Sequence, residues 1–111
     1  MESYLRSVGL EERVMKMPKI SGIYCIENIL DGKKYIGQAK DFTDRYETHL
    51  YSLRRGKGDN WLLQASVDNI GLGNFDFYVI EYCDNDLLDE REIYWIDYYH
   101  TFTDSSKGYN L

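Results

Sequence analysis

Gly22-Ile23-Tyr24-Cys25-Ile26-Glu27-Asn28-Ile29-Leu30-Asp31-Gly32-Lys33-Lys34-Tyr35-Ile36-Gly37-Gln38 holds two short runs of strand-forming residues about a turn pair. Strand formers fill residues 21–28 and again 33–38, and the Asp31-Gly32 pair between them favours a two-residue hairpin turn. A β-hairpin therefore opens the domain. If its loop holds an even number of residues, antiparallel register puts Tyr24, Tyr35 and Gly37 on one sheet face, and Gly37 leaves a gap beside the two phenols.

Downstream of the hairpin, Asp41 suits the N-cap of a helix from Phe42 to about Arg55, with Asp44 in its first turn and Phe42, Tyr46, Leu50 and Leu53 as its apolar stripe. Gly56 and Gly58 break that helix. Asp59 can cap a second one through Trp61, Leu62, Leu63, Ala65 and Val67, ending at Gly71. Phe75 to Tyr82 reads as a third strand, and a last helix runs from about Asp86 to Tyr99 before a loop reaches Gly108-Tyr109-Asn110. The order β-β-α-α-β-α predicts an α+β domain, a small, mainly antiparallel three-stranded sheet flanked by helices. Residues 1–18 read as an amphipathic N-terminal extension, with Tyr4, Leu5, Val8 and Val14 among charges and Pro18 at its end, so the domain proper covers 19–111.

A chain of 111 residues with 43% hydrophobic side chains and one proline fits one compact core. It has no apolar run of the roughly 20 residues that a membrane span needs. The N-terminus, with Glu2, Arg6, Glu11, Glu12 and Arg13, lacks the apolar block of a signal peptide, so the expectation is a cytoplasmic protein without membrane contact. Cys25 and Cys83 have no second pair or neighbouring histidine and read as two buried thiols. The net charge of −6 argues against a simple nucleic-acid binder, but it is unevenly spread: residues 1–58 hold 11 Lys/Arg against 8 Asp/Glu, and residues 59–111 hold 2 against 11. Lys33, Lys34, Lys40, Arg54, Arg55 and Lys57 are the candidates for phosphate contact.

Three features are left over. At 100° per residue Glu92 projects between Leu88, Trp95 and Tyr99 in the apolar stripe of its helix, while Glu90 and Asp97 point away, and an inward carboxylate needs a partner. Arg45 and His49, four residues apart, share a helix face, and a planar guanidinium beside an imidazole suits a phosphate. The third is the pair of phenols on the hairpin. Taken singly, each has an ordinary structural explanation.

Gly22-Ile23-Tyr24 and Tyr35-Ile36-Gly37 are the two halves of the signature of the GIY-YIG nucleases, which this chain resembles from about Lys19 to Leu111. The resemblance implies that Arg45 is the arginine of the helix after the hairpin, His49 the histidine that often follows it, Glu92 the metal-binding glutamate and Asn110 the terminal asparagine. The pattern is most similar to the catalytic domains of phage and intron-encoded homing endonucleases. It departs from some of those in the loop after the arginine helix, where a second histidine is replaced by Gly56-Lys57-Gly58-Asp59-Asn60, which leaves its role to Lys57, to Asn60 or to nothing.

What the family implies is a metal-dependent endonuclease that hydrolyses DNA phosphodiester bonds with a single Mg²⁺ or Mn²⁺ on Glu92. Arg45 would bind the non-bridging oxygens, Tyr24 would be the general base, Tyr35 and His49 would orient or relay, and Asn110 would hold one of these side chains or the phosphate. Target choice would come from a separate DNA-binding domain or a protein partner. The competing readings are a non-catalytic nucleic-acid or protein-binding module on the same fold, favoured by the acidic balance, and a repair-type incision subunit active only in a complex.

Overall fold

The structure is a computed structural model that describes Gly9 and residues 20–111; apart from Gly9, the expected extension over 1–18 lies outside the described residues. The elements are β1 (Gly22–Asn28), β2 (Lys34–Ala39), α1 (Phe42–Arg54), α2 (Trp61–Ile70), β3 (Phe75–Tyr82) and α3 (Leu88–Tyr99), with 3₁₀ turns over Leu72–Asn74 and Asn85–Leu87. They form an antiparallel sheet in the order β2-β1-β3. Tyr24, Ile26, Phe75 and Phe77 on one sheet face pack with Tyr46, Leu50 and Leu53 of α1 and Leu63 and Val67 of α2. Ile23, Cys25 and Ile36 on the other face pack with Leu88 of α3. Central β1 is thus covered on both faces, which explains its nearly unbroken apolar sequence.

Three local expectations change. The hairpin turn is a four-residue loop, Ile29 to Gly32, because the Asn28 N–H donates to Lys33 O and the Gly32 N–H to Asn28 O, each at 2.8 Å. The Asn28 side chain holds it, accepting the Leu30 N–H at 2.9 Å. An even loop keeps the expected parity, and the register pairs Tyr24 with Gly37 and Ile26 with Tyr35. The α2 cap is Asn60, not Asp59: its Oδ1 accepts the Leu63 N–H at 3.0 Å while its Nδ2 donates to Tyr109 O at 2.7 Å, and only an amide can do both. The last helix starts at Leu88, after the 3₁₀ turn, without a side-chain cap.

The outer edge of β2 positions the site. Lys34, Ile36 and, by alternation, Gln38 turn their backbone groups away from β1. The C-terminal tail answers the first two. Lys34 N donates to Lys107 O at 3.1 Å, Tyr109 N donates to Lys34 O at 2.9 Å, and the Asn110 amide both accepts from Ile36 N at 3.0 Å and donates to Ile36 O at 2.9 Å. Behind the tail, the Tyr109 hydroxyl is bonded to Asn28 Nδ2 at 3.1 Å and Ser66 Oγ at 2.9 Å. This covered half of the edge stops at Gly37.

Candidate active site

Tyr24, Tyr35, Arg45 and His49 come together as expected. The Tyr24 hydroxyl meets His49 Nε2 at 2.6 Å, and Arg45 Nε donates to the same hydroxyl at 3.3 Å. Tyr35 lies close enough to Tyr24 and Arg45 for both to favour its ionised form. The rings of Tyr24, Tyr35 and His49 are 5.5–6.3 Å apart, and Tyr46 backs Tyr24 edge-on at 5.0 Å. Gly37 is required here, since a β-carbon at that position would collide with the Tyr24 hydroxyl and ring. Gly22, the other glycine of the paired motif, is required for a different reason: its β-carbon would strike the Glu81 carbonyl on β3.

Access differs from expectation. Tyr24 is 0% exposed, whereas Tyr35 is only partly buried, so Tyr35 and not Tyr24 is the phenol that meets solvent. Burial pushes both phenols above their ordinary range; the charge of Tyr35 adds to the rise at Tyr24, and Arg45 opposes it at both. Burial, and then the Arg45 charge, push His49 down to about 3, so its ring is neutral at neutral pH. With its proton on Nδ1, Nε2 accepts from Tyr24, leaving Tyr24 free to accept from Arg45.

Glu92 reaches the same place from the opposite side of the sheet. Helix α3 is fastened to β3, where Glu81 accepts from Arg91 Nε at 2.6 Å and from Trp95 Nε1 at 3.0 Å, and to β2, where Gln38 Nε2 donates to Asp89 Oδ1 at 2.8 Å. This leaves Glu92 half-buried at the uncovered end of β2, beside Gln38. Burial raises its pKa, the neighbouring Asp89 raises it further, and Gln38 and Arg45 oppose the rise. Among the described residues no three His, Cys, Asp or Glu side chains gather to cage a metal. A lone, partly dehydrated carboxylate fits a hard cation that keeps several waters.

Asn110 is not among these groups. Both ends of its amide are bonded to the Ile36 backbone, so it holds the strand between Tyr35 and Gly37. Asn60 is occupied by capping and the tail, and Lys57 is exposed. The six candidate basic residues do not form one patch. Lys34 is turned onto Glu27, at 3.8 Å, and the Tyr99 ring; Arg55 stacks on Tyr51; and Lys40 is separated from Arg54 and Lys57 by α1, roughly 20 Å long. Of the two cysteines Cys25 is buried and pushed up to about 12, but Cys83 is only partly covered. Sequence reasoning missed Gln38. Its only signal was its place directly after the glycine of the second half-motif.

Residues 20–110 match the family model of the GIY-YIG catalytic domain. The chain is 37% identical over 93 residues to intron-associated endonuclease 1 of enterobacteria phage T4, covering 82% of this chain and 36% of that protein. It is 39% identical over 61 residues to a probable intron-encoded endonuclease 1 of Neurospora crassa, covering 55% and 19%. It therefore spans little more than a third of the length of the first of these relatives. Among solved structures it is similar to the catalytic domain of the homing endonuclease I-TevI, with TM-score 0.75, 35% identity, and 82% and 97% of the two chains covered. The N-terminal endonuclease domain of UvrC from Thermotoga maritima, bound to its catalytic divalent cation, shares the fold at TM-score 0.56 and 18% identity, with 93% and 96% covered.

Proposed function

The chain belongs to the GIY-YIG catalytic-domain family, and from this premise we propose that it is an endonuclease hydrolysing DNA phosphodiester bonds with one divalent cation, Mg²⁺ or Mn²⁺, on Glu92. The observation that carries the reading is the approach of Arg45 from one sheet face and Glu92 from the other, close enough for Glu92 to act on the ionisation of both phenols. A bound cation would neutralise phosphate charge and steady the leaving 3′ oxygen. Arg45 binds the non-bridging oxygens with the donors that Tyr24 and Tyr35 leave free.

Tyr35, the solvent-facing phenol, accepts the proton of the attacking water while its own passes to Tyr24 and on to His49. At rest His49 is a weak acceptor. The phosphate bound by Arg45 cancels that residue's share in lowering the His49 pKa and so strengthens it. Tyr24 is thus a relay, and Asn110 a positioning residue. Two unpaired thiols fit a reducing compartment, and we place the reaction in the cytoplasm. The dispersed basic side chains support weak DNA affinity by this chain alone, with target choice left to another DNA-binding domain or a protein partner.

The acidic balance favours one second reading, a binding module without turnover. Plasmid incubated with the purified chain distinguishes them: nicking with Mg²⁺ or Mn²⁺ and none with a chelator is expected, and binding without nicking under every metal condition would leave the module.

A further inference from the structure

Gln38 ties the edge of β2 to one helix. Its Nε2 donates to Asp89 at 2.8 Å, and Gln38 lies close enough to Glu92 to favour that residue's charged form. Asp89 and Glu92 are three residues apart on α3, a spacing that brings like charges side by side and destabilises a helix. The amide bonds Asp89 and lies beside Glu92. It is also the point at which the covered edge of β2 ends: Lys34 and Ile36 are answered by the tail, Gln38 by α3. Nothing in ordinary sheet packing requires a glutamine here, because its side-chain carbons are only partly buried.

We infer that Gln38 is a positioning residue for the cation site: its amide fixes α3 so that the Glu92 carboxylate stays at the uncovered end of β2, and it keeps Asp89 back as an outer carboxylate rather than a second ligand. The inference rests on the proposed cation at Glu92. Residues that orient a metal ligand without touching the metal usually change affinity by about 10–100-fold when lost.

The test is Mn²⁺ binding to the full chain, followed by electron paramagnetic resonance of the free ion, together with melting temperature in chelator and in Mn²⁺. Gln38→Ala is expected to weaken Mn²⁺ binding by about tenfold or more. Gln38→Glu replaces the donor by a third carboxylate, so it should melt below the wild type in chelator and regain the difference in Mn²⁺. A purely structural clasp would behave differently, with Gln38→Ala lowering the melting temperature equally in both conditions and leaving Mn²⁺ affinity unchanged; that result overturns the inference. So does a Gln38→Glu chain whose lost stability Mn²⁺ does not restore. A wild-type chain that takes up no Mn²⁺ overturns the cation at Glu92 itself, and the inference falls with it.

Discussion

The two halves of the outer edge of β2 solve the same problem in opposite ways. From Lys34 to Ile36, outward donors and acceptors meet neutral partners, the tail backbone and the Asn110 amide, backed by the buried Tyr109. At Gly37 and Gln38 there is no tail. A carboxylate takes its place, held above its ordinary pKa by burial and by Asp89. The covered half contributes stability and contains no group that must change charge. The uncovered half keeps a charge in a place that disfavours it, which is where chemistry on another charged molecule can be driven.

The sharpest way to break this contrast is Glu92→Gln. Cleavage should be lost, since the carboxylate is the proposed ligand, while thermal stability should be unchanged or higher because a burdened charge and its repulsion with Asp89 are removed together. Metal-dependent nicking and melting temperature, measured on the same preparation, check both halves of the expectation. Loss of stability together with retained nicking would reverse the contrast. Next in size is Tyr35→Phe, which should lower the single-turnover rate by about a hundredfold or more, within the range of a positioned base. Tyr24→Phe should cost less, as a relay behind it; a larger loss at Tyr24 would restore the role first expected of it from sequence.

The sequence is readable where the relation between residues is local or periodic. Tyr24, Tyr35 and Gly37 share a face by strand parity, Arg45 and His49 by helix spacing, and both relations survive an error in the loop, because a four-residue loop and a two-residue turn preserve the same parity. Glu92 stood out because it interrupts an apolar stripe. Where a side chain's use depends on a distant element, reading failed. Asn60 displaces Asp59 as cap because Tyr109, 49 positions later, offers a carbonyl to its amide. Asn110 is consumed by Ile36, 74 positions earlier, and Gln38 matters only because α3 crosses the edge of β2. The basic side chains, clustered along the chain, are dispersed in space for the same reason.

On the covered half, Asn110→Ala removes both hydrogen bonds to Ile36, and with two edge groups losing their partners the cost should be about 1–3 kcal/mol. Urea unfolding of wild type and variant gives that number directly. An unchanged midpoint would mean that the tail backbone alone closes the edge.

The smallest effect separates the two halves by pH. His49 in the folded chain is pushed down to about 3, against about 6.5 unfolded, so between these values the unfolded chain binds more protons and stability falls as pH is lowered from 6.5 toward 3. Glu92, with its folded pKa raised, works in the opposite sense and must be held constant. Comparing wild type with His49→Gln does so: the amide oxygen can still accept from Tyr24, but the titration is gone. Between pH 6.5 and 5 the wild type should lose stability relative to the variant by at most about 1.4 kcal/mol per pH unit, the limit for one proton. The cost of Asn110→Ala should be the same at pH 5 as at pH 8, since neither the amide nor the Ile36 backbone titrates. A parallel acid response in wild type and His49→Gln would mean that His49 is not held neutral by its surroundings, and would remove the proton acceptor from the end of the relay.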